Sequence, residues 1–108
     1  EIEAAVIAVR AALGHPLLRR AALSQAAGGL RREAPVLLRL DDGSLADGVV
    51  DLAFREESDD GPCWTVVDFK TDRELGEHRA RYAAQVRLYV DAISRATAEP
   101  ARGMLLMV

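Results

Sequence analysis

Residues 64–70, which read WTVVDFK, decide the fold of this chain. A β-branched and aromatic run of this length, closed by charged residues, predicts a buried strand with a polar end. Because alternate side chains of a strand share one face, Asp68 and Lys70 point the same way and Phe69 points the other way. The strand therefore presents a carboxylate and an ammonium group side by side where it ends.

A second apolar run, GVVD, closes on Asp51 in the same manner. We predict a strand over residues 45–54 and a polar, acidic loop over residues 56–62 that joins it to the strand at 63–70. Two strands connected in this way pair antiparallel, and that pairing can bring Asp51 beside Asp68. The sequence thus predicts two carboxylates at one end of a strand pair.

The segments on either side supply the rest of the fold. Turn residues at 41–44, DDGS, follow an apolar run and make the first three strands an antiparallel meander. The longest helix carries one apolar stripe, formed by Val86, Tyr89 and Ile93. The predicted elements are, in chain order, helices 2–13 and 17–27, strands 36–40, 45–54 and 63–70, helix 78–97 and strand 104–108. This order, ααβββαβ, predicts an α/β (α+β) fold with one mixed sheet and helices packed on it.

Length and composition describe one globular domain. With 108 residues, half of them hydrophobic and 29% charged, the chain can form one core and is too apolar for disorder. Its apolar stretches are much shorter than the roughly 20 residues of a membrane-spanning helix, so we expect no membrane association. Cys63 is the only cysteine, which excludes an internal disulfide and a four-cysteine iron–sulfur cluster. Because the first residue is Glu1 rather than Met, we expect a fragment of a longer protein, with a helical lead-in at 1–30 and a core at 31–108.

The charged residues point in two directions. A net charge of −3 does not by itself suggest nucleic-acid binding. However, only one of the 14 basic residues is a lysine, and it is Lys70. An ammonium is a compact point charge with a tunable pKa, whereas a guanidinium is broad and permanently protonated. A lysine kept in an arginine-rich chain therefore indicates a position where arginine cannot act, although chance placement is the alternative.

The two carboxylates suggest a cation site. Asp51 and Asp68 would repel each other at the end of buried strands unless a cation neutralised them. Hard oxygen ligands favour Mg²⁺ or Mn²⁺, and such an ion polarises a phosphodiester and activates a bound water. Lys70 would then orient that water or stabilise charge in the transition state. The alternative is a plain strand salt bridge between Asp68 and Lys70, with Asp51 turned to solvent.

Three short motifs add a resemblance to a known family. They are GVVD at 48–51, VVDFKTD at 66–72 and YAAQVRLY at 82–89. Together they resemble the motifs of RecB-like nucleases of the PD-(D/E)XK superfamily, in particular those of the C-terminal nuclease domain of AddA-type (UvrD-like) helicase–nucleases. The resemblance covers residues 31–108, including REAP at 32–35, and implies a restriction-endonuclease-like fold.

The resemblance also assigns roles to individual residues. It implies that Asp51, Asp68 and the carbonyl of Phe69 are metal ligands and that Lys70 is the catalytic residue. Gln85 and Tyr89 would support the site or contact DNA. Gln85 and Tyr89 are four residues apart on one helix face, and from spacing alone Tyr89 is a core aromatic and Gln85 a boundary residue. Related nucleases carry a further His on an upstream helix. His15 is the available match, but its place between two predicted helices favours a capping or packing role, so we expect that His to lie before Glu1 and the isolated fragment to be weak or inactive.

Three more charged residues are candidates from their position alone. Glu33 would lie behind the metal ligands, and Arg79 and Arg87 would reach DNA phosphates from the last helix. For each of them a solvated surface charge is the alternative. Tyr82, one turn before Gln85 on the same face, is interpreted as a packing residue.

We therefore expect an exonuclease-type deoxyribonuclease domain that uses Mg²⁺ or Mn²⁺ in double-strand break repair. The resemblance implies DNA as a partner, upstream helicase domains in the same chain, a partner helicase–nuclease subunit and a bacterial, nucleoid-associated cytoplasmic location. ATP would serve only the helicase part, since no Walker-type Gly-Lys-Thr loop occurs here. The alternative is a non-catalytic module of the same fold that binds DNA or docks onto a helicase.

Overall fold

The computed structural model describes residues 6–10, 16–26 and 28–107. This part of the chain contains five strands and two helices. In order, the elements are β1 (Val6–Arg10), α1 (Pro16–Ala26), β2 (Leu30–Arg39), β3 (Leu45–Ser58), β4 (Gly61–Lys70), α2 (Asp72–Thr97) and β5 (Ala101–Met107). The class is α+β, as the sequence predicts. Neither helix in this part of the chain is both long and apolar enough to cross a membrane.

The sheet has the strand order β1-β5-β4-β3-β2. The meander prediction is confirmed, because β3 pairs antiparallel with both β2 and β4. β5 lies between β1 and β4 and is parallel to both, since the chain returns along α2 before it re-enters the sheet. The first hairpin turns at Gly43, whose φ is 86°, and the Asp42 carboxylate accepts a hydrogen bond from the Ser44 amide at 2.9 Å.

Each face of the sheet carries its own apolar cluster. On one face, Val86 of α2 packs with Val66 and Leu105. On the other face, Ala21 of α1 packs with strand residues Leu52, Phe54, Val67 and Leu106. Neighbouring residues of β4 alternate between the two clusters, as the pleat of a strand buried on both faces requires.

The helix α2 crosses β5 at a glycine. A Cβ at Gly103 would collide with Cγ1 of Val86 and would lie 2.9 Å from Cγ2 of Val90. The missing side chain therefore lets α2 approach the sheet closely. The same helix face carries Tyr89, so this approach also brings Tyr89 down onto the sheet.

The predicted helix at residues 2–13 is wrong where the structure describes it. Residues 6–10, VIAVR, form strand β1, which pairs parallel with β5. The spacing of this segment fits a helix, but three of its five residues are β-branched and suit a strand. Pairing with the edge of β5 satisfies the backbone there and overrides the local pattern. The element order is βαβββαβ rather than ααβββαβ.

The start of α2 also differs from the prediction, since the helix begins at Asp72 and not at residue 78. Thr71 caps it: the Thr71 hydroxyl accepts a hydrogen bond from the Glu74 amide at 3.3 Å, and the Glu74 carboxylate accepts one from the Thr71 amide at 3.0 Å. This capping box is a recognisable helix start. His78 lies inside the helix at a kink, with φ −133° and ψ 27°.

The loop predicted at residues 56–62 is mostly strand. β3 runs to Ser58 and β4 starts at Gly61, so the connection is a turn at residues 59–60. Gly61 has a φ of 105°, which a glycine adopts without strain. The acidic residues of this segment therefore stand on a hairpin rather than on an open loop.

Candidate functional site

The candidate site lies where β3 and β4 begin to pair. The ladder starts at Leu52 with Val67, and Asp51 and Asp68 are the next residues of the two strands beyond this pair. β4 ends two residues later, at Lys70. Asp51, Asp68 and Lys70 therefore lie at the same end of the strand pair, as the sequence predicts.

At Asp51 the strand β3 leaves the regular pleat. Val50 and Leu52 would share a face in a regular strand, yet Val50 belongs to the cluster under α2 and Leu52 to the cluster under α1. Opposite Asp51 on β2 lies Glu33, whose φ of 46° is a left-handed value that residues other than glycine rarely adopt. Both strands thus change face at the same level, although the register between them is the same on either side of this point. The Asp51 side chain reaches β4, where its Oδ2 accepts a hydrogen bond from the Phe69 amide at 3.0 Å.

The direction of the Phe69 carbonyl follows from the hydrogen bond of the Phe69 amide. In a strand, the N–H and C=O of one residue point toward the same neighbouring strand. Because the Phe69 amide reaches Asp51, its carbonyl oxygen also points to the β3 side. The Phe69 ring packs on the α1 face of the sheet and leaves the α2 face to Asp68 and Lys70.

Asp68 is a buried carboxylate, with 4% of the residue exposed. Its pKa is raised to about 6, first by burial and then by a side-chain hydrogen bond with Asp51, while the charge of Lys70 offsets part of the rise. Two neighbouring carboxylates repel each other, so a cation between Asp51 and Asp68 would stabilise this arrangement.

Lys70 places its ammonium against this pair, with Nζ 3.3 Å from Asp68 Oδ2. The approach is an ion pair without hydrogen-bond geometry, and in the described part of the chain Asp68 Oδ2 is the one buried side-chain N or O atom that lacks a hydrogen bond. Burial lowers the pKa of Lys70, but Asp68 and other acidic neighbours raise it by more, so the net shift is upward. Lys70 Nζ also lies 4.5 Å from the centroid of the Tyr82 ring.

The helix α2 covers the site with Tyr89. This residue is 7% exposed and lies beside Gly48 of β3, where a Cβ would stand 3.1 Å from Cε1 of the tyrosine ring. Burial raises the pKa of Tyr89, and the charge of Asp68 raises it further, so the phenol lies within the electrostatic field of the carboxylates. Gln85 is half-buried one turn earlier on the same helix face.

The remaining candidates lie at the margin or on the surface. Glu33 lines a groove together with Asp51 and Arg32. Arg79 and Arg87 are exposed on α2. The structure thus brings Glu33 to the edge of the site and leaves the two arginines on the helix surface.

Two residues near the site escape the sequence analysis. The interpretation of Tyr82 as a packing residue misses its contact with Lys70, although Tyr82 stands seven residues before Tyr89 on the same helix face, which is a usable signal. Arg32 borders the groove at Asp51 only because of strand register, for which the sequence carries no signal. His15 lies outside the described residues.

The site offers two carboxylates and one backbone carbonyl as ligands. Within residues 6–10, 16–26 and 28–107, no three His, Cys, Asp or Glu side chains gather into a group that could hold a metal ion. A cation at Asp51 and Asp68 would therefore complete its shell with the Phe69 carbonyl, water and substrate oxygens. Mg²⁺ is commonly held in this way, through one or two carboxylates with several waters and phosphate oxygens.

Comparison of the chain with protein-family models, with curated proteins and with solved structures finds no match. The geometry of the site and the three sequence motifs are therefore the evidence for a function.

Proposed function

We propose that this chain is a metal-dependent deoxyribonuclease domain that hydrolyses phosphodiester bonds. One observation carries the proposal: at the end of a buried strand pair, the buried Asp68 carboxylate lies 3.3 Å from the Lys70 ammonium, and the Asp51 carboxylate reaches the next residue of β4, Phe69. Carboxylates buried for structural reasons are normally satisfied by cationic or hydrogen-bonding partners. Asp68 instead keeps an oxygen without a hydrogen bond and a pKa of about 6, as expected of a functional carboxylate.

The residues fit a divalent cation of the magnesium type. Asp51 and Asp68 offer hard carboxylate oxygens, and the Phe69 carbonyl points to the same side of β4. Binding of Mg²⁺ or Mn²⁺ would relieve the repulsion between the carboxylates and would give the buried Asp68 oxygen a partner. When bound, such an ion polarises a phosphate group and lowers the pKa of a coordinated water.

Lys70 supplies the positive charge that acts on the substrate. Its ammonium has three N–H donors, and the ion pair with Asp68 leaves donors for a phosphate oxygen or for the attacking water. Negative charge on the phosphoryl oxygens grows toward the transition state, so a fixed ammonium stabilises that state more than the bound substrate. Asp68 is buried, and charge interactions are stronger where water is excluded.

DNA as the substrate class is supported by the motifs and by the exposed arginines of α2. Arg79 and Arg87 are suited to phosphate contacts, and a cleavage site needs only a local positive patch, so a net charge of −3 is compatible with it. From the resemblance to RecB-like nucleases we propose an exonuclease linked to helicase domains in double-strand break repair. That context includes the partner helicase–nuclease subunit and the bacterial location.

Binding of Mn²⁺ tests the metal site without any substrate. The chain should reduce the electron paramagnetic resonance signal of free Mn²⁺, and Mg²⁺ should compete for the same site. Asp68→Asn should abolish the binding because it removes a charged ligand. Asp59→Asn is the matched control, since it makes the same chemical change in the exposed turn at residues 59–60. Binding that survives Asp68→Asn would contradict the proposed site.

Cleavage of linear duplex and single-stranded DNA tests the activity. It is measured with Mg²⁺, Mn²⁺ or EDTA, on the chain and on a longer protein that carries it with any helicase domains. Asp68→Ala should reduce cleavage to the EDTA level and leave folding and any ATPase activity intact, because the change removes a ligand rather than core volume. DNA binding without cleavage in any metal would instead favour the non-catalytic module.

A further inference from the structure

Two groups of different kinds hold the Lys70 ammonium. It lies 3.3 Å from the Asp68 carboxylate and stands over the face of the Tyr82 ring, 4.5 Å from its centroid. The Lys70 side chain is 16% exposed, so both contacts are partly shielded from water. An ammonium over an aromatic face at this distance makes a cation–π contact, which is stronger where water is excluded.

The Tyr82 ring is fixed in place by α2. Tyr82 is half-buried against the apolar cluster beneath that helix, and the His78 ring meets it edge to face with centroids 6.3 Å apart. The helix starts directly after Thr71, the single residue that separates it from Lys70. A short, capped connection therefore joins the lysine to the helix that carries its aromatic partner.

A neutral partner suits a lysine that acts on a substrate. A second carboxylate would occupy the donors of the ammonium and cancel its charge. A π face attracts the charge but accepts no conventional hydrogen bond, so the remaining donors stay available. The flexible four-carbon stem of a lysine samples several rotamers unless a second contact restricts it.

We propose that Tyr82 is a positioning residue, which holds the Lys70 ammonium where it binds the phosphate group. This inference rests on the proposed nuclease function, because it gives Tyr82 a part in the same site. The competing explanation is that Tyr82 only fills space under α2. Space filling requires an apolar side chain of similar size, whereas positioning requires an aromatic face.

The single lysine of the chain makes the inference testable by NMR. Isotope-labelled lysine gives side-chain signals from Lys70 alone. The ring current of Tyr82 should shift the Lys70 methylene protons upfield. Tyr82→Phe should keep that shift, whereas Tyr82→Leu and a second non-aromatic variant, Tyr82→Met, should lose it. Leu88→Ala is the control, because it removes apolar volume from the same helix and should leave the Lys70 signals unchanged.

Single-turnover cleavage supplies the second measurement. Tyr82→Phe should cleave DNA within about twofold of the native rate, and the non-aromatic variants should be about tenfold slower with unchanged DNA affinity. Native Lys70 signals in the non-aromatic variants would overturn the inference. So would a native cleavage rate in a variant that has lost the ring-current shift. The spectra do not depend on activity. If the chain shows the shift, and a longer protein that carries it cleaves no DNA in any metal, the proposed function is overturned and the Tyr82–Lys70 contact stays supported.

Discussion

The two ends of the β3–β4 strand pair both carry partly buried charge, and they handle it in opposite ways. At the end away from the site, Arg55 donates to both oxygens of the Glu99 carboxylate, at 2.9 and 3.0 Å, and Trp64 donates to the same carboxylate at 2.9 Å. The pKa of Glu99 is lowered, chiefly by its hydrogen bonds with Arg55. At the site end, the pKa of Asp68 is raised to about 6, chiefly by burial.

The salt bridge that ties α1 to the sheet shows the same contrast. Arg20 donates from two of its nitrogens to Glu56 of β3, and this contact is the main reason that the pKa of Glu56 is lowered. Arg102 adds a second cation 3.8 Å from the same carboxylate. Glu56 and Glu99 are only partly buried and have arginine partners, whereas Asp68 is buried and keeps one carboxylate oxygen without a hydrogen bond.

The largest expected effect is on DNA cleavage, and it comes from replacing the lysine at the site by arginine. Lys70→Arg should lower DNA cleavage by at least about a hundredfold, nearly as much as Asp68→Ala. The guanidinium is broad and planar, so it cannot take the position of the compact ammonium between Asp68 and Tyr82. Single-turnover cleavage in Mg²⁺ is the measurement.

Arg20→Lys is the matched control, because it exchanges the basic residue of the Arg20–Glu56 salt bridge. It should leave cleavage unchanged, because Arg20 pairs with Glu56, which lies outside the proposed site. Native cleavage by Lys70→Arg would show that charge alone matters at position 70, and the argument from the single lysine would then be wrong.

A smaller effect is expected on stability in the absence of metal. Because the folded-state pKa of Asp68 is about 6 and the unfolded value is about 3.9, the folded protein binds the proton more tightly. The stabilisation by protonated Asp68 is fully present below pH 4 and is lost as the pH rises through 6. The free energy of unfolding should fall by roughly 1–3 kcal/mol over this range. Asp68→Asn should remove this pH dependence in urea unfolding with EDTA. Asp59→Asn should retain it, and a native pH profile in Asp68→Asn would refute the assignment.

The smallest effect is expected from Glu56→Gln. The pH dependence of stability that comes from Glu56 is opposite in sign to that from Asp68. Since the pKa of Glu56 is lowered in the folded state, its contribution is present above the unfolded pKa and is lost as the pH falls through the folded value. At pH 7 the variant should be less stable by about 1 kcal/mol, and the difference should vanish in acid. Cleavage should be unchanged. A variant as stable as the native protein at pH 7 would show that the Arg20 pair contributes nothing.

Much of the site could be predicted because local rules govern it. Alternation within WTVVDFK places Asp68 and Lys70 on one face, and the hairpin brings Asp51 to the same level. The capping box at Thr71 and Glu74 was equally readable from the sequence, and reading it would have corrected the start of α2. The change of face at Asp51 and Glu33 cannot be predicted from the sequence, because it depends on how two clusters on opposite faces pack against the same strands.

The sequence by itself determined the meander, the amphipathic helix α2 and the grouping of Asp51, Asp68 and Lys70, because side-chain periodicity and turn residues act over a few neighbours. Only the tertiary structure decided that residues 6–10 form a strand, because the hydrogen bonds that stabilise it come from β5, about a hundred residues away along the chain. The tertiary structure also decided the electrostatic state of Asp68. A carboxylate has no unusual pKa in a sequence, and it acquires one only when burial removes water and the fold supplies too few partners to replace it.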